Sequence, residues 1–242
     1  MTKPSKRAVA AQIGLGVAVL WLSLFLGWQS MRAVDFGYPV FYDLLDMDAH
    51  MAKYGPQNRH KKDFALTSRA ERERLFHEIV VAIHKHGEGL EALTYHRPDG
   101  SPIDRLLRMP EVVHLQDVAR LLDILLWFSV VVGAGAAIAG GALLRSRAPI
   151  MATWRVLLGA GLAVGVITLA VVAIGAKDVF YYLHTVIFPP DHEWFFYYQD
   201  SLMTTLMKAP TLFGPIAAAV VALTLVWFAI IWYGLRRLST RR

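Results

Sequence analysis

Residues 124–144 read ILLWFSVVVGAGAAIAGGALL, a run of 21 residues without a charged side chain. Because an α-helix rises 1.5 Å per residue, about 20 apolar residues cross the hydrocarbon core of a bilayer. Three further uncharged runs, each at least as long, occur at Ala8–Met31, Val156–Ala176 and Ala209–Leu235. The sequence therefore predicts four membrane-spanning helices.

The composition agrees with a membrane protein. Hydrophobic residues make up 55% of the chain and the mean hydropathy is +0.40, which is above the range of ordinary soluble domains. We expect an all-α polytopic membrane protein with a helical extracytoplasmic cap and one membrane domain over residues 1–242. The transmembrane helices are predicted at about 9–30, 122–144, 153–176 and 211–235, and the extracytoplasmic loops at 31–120 and 177–209.

Basic residues in the short segments predict the orientation, because Lys and Arg concentrate on the cytoplasmic side of membrane proteins. They occur in the N-terminal tail, in the connection between the second and third runs, and in the C-terminal tail, which we expect to be cytoplasmic. These residues are Lys3, Lys6, Arg7, Arg145, Arg147, Arg236, Arg237, Arg241 and Arg242. The first run is too long for the apolar core of a signal peptide, so it is expected to remain as an anchor.

Several classes of function are disfavoured by the same composition. The net charge of +6 is largely accounted for by the cytoplasmic basic residues, so we expect no nucleic-acid partner. The chain has no cysteine, which removes thiol catalysis and cysteine-ligated metals. No Gly-x-Ser-x-Gly motif is present, and the apolar runs carry no acid or base of the kind that ion or proton pathways require.

The long first loop contains local signals for a small helical subdomain. Ser68 and Glu71 have the spacing of a capping box, and the helix that they begin is expected to continue through Ile83 and stop at Gly87. The segment Arg97–Pro102 is rich in turn residues. No alternating pattern of useful length predicts a β-strand.

All nine histidines fall outside the apolar runs, and two lie within about two helical turns of one. His114 precedes the second run on what we expect to be the same continuous helix, and His184 follows the third. Imidazole is suited to proton transfer near neutral pH. Glu111 and Asp117 lie three residues to either side of His114, so one of them is expected to orient its ring. Held at similar depth, His114 and His184 are candidates for a catalytic pair.

The second loop is short and dense with aromatic side chains, which favour the interface between membrane and water. They are Phe180, Tyr181, Tyr182, Phe188, Trp194, Phe195, Phe196, Tyr197 and Tyr198. The candidate substrate-binding residues are Glu111, Asp117, Arg120 and Trp194. Arg120 is expected to contact either a lipid head group or the Asp117 carboxylate. The other seven histidines are expected to be solvated, and a zinc or haem site at the pair stays open as an alternative.

The two histidine segments resemble the lipoprotein intramolecular transacylase family of four-span bacterial membrane proteins. The resemblance lies in Glu111-x-x-His114-x-x-Asp117-Val118, in Leu183-His184-x-x-x-Phe188 followed by Trp194, and in Asp200 to Pro210-x-x-Phe213. The order of a long first loop, a short aromatic second loop and four spans agrees as well. The chain differs from the common family pattern in its enlarged first loop and in Pro189–Glu193.

The resemblance implies an enzyme of the bacterial cytoplasmic membrane whose partners are diacylglyceryl-modified lipoproteins and membrane lipids. The implied reaction moves the sn-2 acyl chain of the lipidated cysteine to that cysteine's α-amino group, with His114 and His184 as the catalytic pair. We expect His114 as base and His184 as acid, although the roles can be exchanged, and no cofactor. A non-catalytic scaffold for an extracytoplasmic partner, a lipid ester hydrolase and a metal-binding redox subunit are the alternatives, and the oligomeric state is open.

Overall fold

The computed structural model describes residues 6–146 and 150–240. Nine α-helices and one two-stranded sheet are found in this part of the chain. In chain order they are α1 (Lys6–Arg32), α2 (Tyr38–Leu44), α3 (Met47–Tyr54), α4 (Arg69–Ile83), β1 (Thr94–His96), β2 (Pro102–Arg105), α5 (Met109–Arg145), α6 (Thr153–Ile174), α7 (Ala176–Ile187), α8 (Leu202–Met207) and α9 (Phe213–Thr240).

Four of these helices are long and apolar enough to cross a membrane, within residues 6–146 and 150–240. They are α1, α5, α6 and α9, which confirms the prediction of four membrane-spanning helices. Helix α5 has 37 residues, well beyond the length that a bilayer core requires, so the approach segment with His114 does continue into the second span. Of the basic residues that predict orientation, Lys3, Arg147, Arg241 and Arg242 lie outside the described residues, as do the side chains of Lys6 and Arg7.

The chain divides into two compact units. The first, here called the membrane unit, comprises Met1–Met31, Leu125–Gly175 and Ala218–Arg242. The second, here called the polar unit, comprises Arg32–Ile124 and Ala176–Ala217. The boundary between them falls within α1, α5 and α9. The expectation of one membrane domain over the whole chain stays a prediction.

Tryptophan side chains connect the helices of the membrane unit. Trp232 is fully buried, and its indole N–H donates to the Met151 carbonyl at 3.2 Å. The Met151 N–H in turn donates to the Gln12 side chain at 2.8 Å. The Trp21 indole N–H donates to Ser129 Oγ at 3.0 Å. In an apolar unit these polar groups are satisfied by one another, as burial away from water requires.

The predicted helix of the first loop is confirmed as α4. The Ser68 side chain accepts the Glu71 N–H at 3.1 Å, and the helix ends at Ile83. Gly87, in the left-handed region at φ 79°, then donates its N–H to the Ala82 carbonyl and closes the end. Glu71 does not complete a reciprocal capping box, because its carboxylate accepts from the Arg74 guanidinium and from the His96 N–H instead.

A short antiparallel hairpin follows α4, where the sequence predicted no strand. Strands β1 and β2 pair with Thr94 opposite Arg105, and a bulge occurs between Tyr95 and His96. The turn-rich segment that precedes Pro102 is the loop of this hairpin. Strands of three and four residues are too short to show an alternating pattern, which explains why the sequence did not reveal them.

Candidate active site

The first turns of α5 place three polar side chains in the polar unit. Glu111, His114 and Asp117 are 0%, 9% and 7% exposed. Residues three apart are neighbours on a helix surface, so the three form one row. Buried carboxylates need hydrogen-bonding partners, and the partners decide what each one does.

Glu111 is an anchor for the segment that leads into α8. One carboxylate oxygen accepts the Ser201 hydroxyl at 2.6 Å and the Met203 N–H at 3.3 Å. The other accepts the Arg108 N–H at 2.7 Å. The expectation that Glu111 contacts the substrate stays a prediction, and in the structure this carboxylate is fully buried and makes these internal contacts. Ser201 is fully buried as well, and its oxygen also accepts the Thr204 N–H at 2.9 Å, so its hydroxyl is committed to capping α8.

Asp117 makes a second set of contacts, one turn and a half further along α5. One oxygen accepts the Arg120 guanidinium at 2.8 Å, and the other lies 2.6 Å from His192 Nδ1. A carboxylate accepts, so this imidazole nitrogen carries the hydrogen. The Arg120 side chain remains 68% exposed, which leaves it accessible to a further anion.

The two carboxylates therefore do not orient His114 as the sequence suggested. Within residues 6–146 and 150–240, Glu111 and Asp117 bond to other groups, and no hydrogen bond reaches the His114 ring. Three-residue spacing on a helix brings side-chain roots together, but partners from elsewhere in the chain compete for the carboxylate oxygens. What holds the His114 ring is aromatic packing.

His114 and His184 are brought together, as the sequence predicted. Their ring centroids are 6.1 Å apart, and Phe188 contacts both rings, at 4.9 Å from His114 and 5.2 Å from His184. Phe196 lies 6.2 Å from the His114 ring. Phe188 and Phe196 are themselves buried. The two imidazoles thus share an apolar aromatic enclosure.

His184 lies on α7, and its tautomer can be derived from its partner. The Nδ1 atom lies 2.7 Å from the Phe180 carbonyl oxygen, which can only accept, so Nδ1 carries the hydrogen. In the neutral ring, Nε2 is then left with a free lone pair. Burial lowers the pKa of His184 below its usual value of 6.5, which favours this neutral form at pH 7.

Aromatic side chains complete the surroundings of His184. The Phe180 ring lies 4.0 Å from the His184 ring, and the Trp194 ring lies 4.9 Å away on the segment after α7. Tyr181 contacts Trp194 at 5.6 Å. Trp194, a candidate substrate-binding residue in the sequence, therefore lines the site beside His184. The remainder of α7 presents exposed apolar side chains, Tyr182, Leu183, Val186 and Ile187.

His192 is the site residue that sequence reasoning missed. It was assigned to the solvated histidines, yet it bonds to Asp117, 75 residues earlier in the chain. No spacing rule links positions so far apart, so only the three-dimensional structure could reveal the pair. In the described residues, no three side chains of the His, Asp or Glu type come close enough to share a metal ion.

Comparisons with known proteins agree with the resemblance noted in the sequence. The family model for lipoprotein intramolecular transacylase Lit matches residues 61–209. A comparison with curated proteins gives no match. Solved structures with the same fold include the membrane-integral transacylase Lit from Bacillus cereus. A histidine-to-arginine variant has 17% identity and a TM-score of 0.66, over 97% of this chain and 92% of that one. A second structure of that protein has 18% identity and a TM-score of 0.62, over 97% and 96%.

The family match covers more than half of the chain, whereas identities this low in the solved structures show the fold alone. The chain thus belongs to the lipoprotein intramolecular transacylase family and is a multi-pass membrane acyltransferase.

Proposed function

We propose that this transacylase moves the sn-2 acyl chain of a diacylglyceryl-modified N-terminal cysteine to the α-amino group of the same cysteine. The observation that carries the proposal is the pair of imidazoles, 6.1 Å apart, in an aromatic enclosure. The pair supplies acid and base, and the aromatic rings suit an acyl chain. The chain has no cysteine and Ser201 is committed to α8, so direct transfer without an acyl-enzyme fits the residues present.

The bond changes are simple. The amine nitrogen attacks the sn-2 ester carbonyl, a C–N amide bond forms, and the C–O bond to the glycerol breaks. The amine loses one proton and the released glycerol oxygen gains one, so the reaction needs no cofactor. Because donor and acceptor belong to one molecule, holding them together can lower the barrier by up to about 7–11 kcal/mol.

We assign the base role to His184, which exchanges the two roles first expected from the sequence. Its Nδ1–H is held by the Phe180 carbonyl, so Nε2 is the free basic atom. The resulting imidazolium can pass the proton to the leaving oxygen. His114, which faces the same enclosure, then donates its ring N–H to the negative oxygen of the tetrahedral intermediate.

Arg120 and Trp194 are proposed to contact the substrate. Arg120 is exposed beyond its bond to Asp117 and can bind a lipid phosphate or a carbonyl-rich head group. Trp194 lies against His184 and provides an apolar wall for the acyl chain. Asp117 acts through Arg120. We place the enzyme in the bacterial cytoplasmic membrane, with basic tails inside and the site facing outward.

The test uses purified protein, a synthetic diacylated lipopeptide and mass spectrometry of the product. We expect His114→Ala and His184→Ala each to reduce formation of the N-acyl, lyso-form peptide by at least about 100-fold, since acid–base groups contribute 10²–10⁴-fold. His77→Ala is the matched control, because His77 is half-exposed and pairs with Asp35 at 2.8 Å. It should retain the wild-type rate.

Two results would contradict the proposal. One is lyso-form product at the wild-type rate in either site variant. The other is release of free fatty acid without N-acyl peptide from the wild-type protein, which would identify the lipid ester hydrolase instead.

A further inference from the structure

The segment between α7 and α8, residues 188–201, carries aromatic side chains of the site and has no regular secondary structure. Phe188, Trp194 and Phe196 contact the catalytic histidines from it. Between Pro189 and Phe196, the one backbone hydrogen bond among the described residues runs from the His192 N–H to the Pro189 carbonyl. Side-chain contacts, both aromatic packing and hydrogen bonds, therefore hold this segment in place.

Two such bonds join the segment to α5, one on each side of His114. Near its end, Ser201 donates to Glu111, and near its middle, His192 donates to Asp117. Glu111 and Asp117 are six residues apart, which is about 9 Å along a helix, with His114 midway. Trp194 and Phe196 lie between the two attachment points in the chain. The two bonds thus hold the aromatic segment across the turn of α5 that carries His114.

The two attachment points differ in their access to solvent. The Glu111–Ser201 bond is fully buried, whereas the His192 side chain is 29% exposed and its carboxylate partner is 6% exposed. His192 is also closer in the chain to Trp194, from which it is separated by one residue. Loss of His192 would free the Trp194 end of the segment and leave the Ser201 end attached. Asp117 would still bond to Arg120.

We propose that His192 is a positioning residue for catalysis, which holds Trp194 against His184 and Phe196 against His114 through its bond to Asp117. The effect of His192 on activity rests on the proposed function, whereas its effect on the mobility of the segment does not. Because a displacement of about 1 Å in a catalytic group can cost up to 100-fold in rate, a loose segment should lower kcat. The substrate still meets Arg120, and the looser Trp194 wall weakens only the contact with the acyl chain, so KM should rise by less than kcat falls.

The absence of cysteine makes a direct test possible. Glu193→Cys introduces a single thiol at an exposed position beside His192, and a nitroxide spin label there reports the mobility of the segment. In this background we expect an immobilised spectrum, a mobile component after His192→Ala or Asp117→Ala, and the immobilised spectrum again after His192→Asn. The Asn amide can donate from nearly the same place as Nδ1. Asp191→Asn, in the same segment, is the control and should leave the spectrum unchanged.

Kinetics on the lipopeptide complete the test. We expect His192→Ala to lower kcat about tenfold with less than a threefold change in KM, and His192→Asn to restore most of kcat. An immobilised spectrum in His192→Ala overturns the proposal whatever the rate, because the segment is then held without His192. A mobile spectrum with unchanged kcat overturns it too. If no variant and no wild-type protein makes lyso-form product, the proposed function fails, while the spectra still decide whether His192 holds the segment.

Discussion

The membrane unit and the polar unit differ in which titratable side chains they contain. All 19 acidic residues and all nine histidines lie in the polar unit, and the charged residues of the membrane unit are Lys and Arg alone. The carboxylates and imidazoles that could transfer protons near neutral pH therefore lie in the polar unit. The spans thus supply a place in the bilayer, whereas the carboxylates and imidazoles lie in a hydrogen-bonded structure built from the two loops.

The two units also differ in the interactions that stabilise each of them internally. In the membrane unit, helices approach closely at a glycine, which has no side chain. A Cβ atom at Gly27 would lie only 3.1 Å from the Val220 carbonyl oxygen and 3.2 Å from Thr224. In the polar unit, charged side chains bond to groups distant in sequence, as Glu111 does with Ser201 and Arg72 with Tyr42. The stability of the membrane unit should thus respond most to added side-chain volume, and the stability of the polar unit to lost hydrogen bonds.

The largest effect is expected from Arg72 in the polar unit. Its guanidinium is buried and donates to Thr67 Oγ1 at 2.9 Å, to the Tyr42 hydroxyl at 2.7 Å and to Asp48 at 2.8 Å. Hydrogen bonds to charged groups contribute about 1.5–3 kcal/mol each, so Arg72→Met should lower the free energy of unfolding by about 3 kcal/mol or more. Thermal unfolding in detergent, followed by near-ultraviolet circular dichroism, measures the loss.

Arg69 offers the matched control, three residues earlier on α4. It also bonds to carboxylates, at 2.7 Å to Asp43 and 2.7 Å to Glu73, but its side chain is 42% exposed. Exposed ion pairs contribute little, so Arg69→Met should cause a small fraction of the loss seen at Arg72. Equal losses in the two variants would mean that burial does not distinguish these bonds.

The same comparison explains how much the sequence could predict. Four spans, the continuous α5 and the start of α4 at Ser68 follow from signals contained within about 20 neighbouring residues, namely uninterrupted apolarity and a cap. The short hairpin lacked such a signal. So did the partners of Glu111 and Asp117, which lie 90 and 75 residues away.

For the site, the sequence predicted which histidines meet but not what holds them. His114 and His184 stood out because each lies beside a predicted span, and the predicted topology puts them at similar depth. The partner of a carboxylate is decided by competition among all groups in reach, and that competition is resolved only in three dimensions. His192, in a segment without periodicity, was therefore assigned to solvent.

A smaller effect is expected in the membrane unit from Gly27→Ala. The added methyl group must push the backbone at Val220 and Thr224 away by a few tenths of an ångström. Overpacking of this kind costs about 1–2 kcal/mol. Gly14, on the same helix, has no atom within 4 Å of the corresponding Cβ position, so Gly14→Ala should be neutral or slightly stabilising. Unfolding in mixed micelles with increasing dodecyl sulfate measures both, and an equal response would show that α1 and α9 tolerate the methyl group.

The smallest effect concerns His50 and tests whether acid acts on the polar unit through a buried imidazole. The His50 ring packs against Tyr54 and Tyr198, and its Nε2 atom has no hydrogen-bond partner among the described residues. Burial, together with the nearby positive charge of Lys208, lowers the pKa of His50 to about 4. Between pH 6.5 and about 4 the unfolded chain binds the proton more readily, so stability falls as the pH falls through this window. From pH 7.5 to 5.5 the contribution of His50 to this loss should be about 1 kcal/mol, so His50→Phe, which keeps the ring packing without a titrating group, should lose about 1 kcal/mol less than the wild-type protein over this range. His60→Phe, at a side chain that is 45% exposed, should keep the wild-type dependence on pH. If the stability of His50→Phe depends on pH as that of the wild-type protein does, groups other than His50 cause the acid sensitivity. Burial of His50 would then not be coupled to its titration.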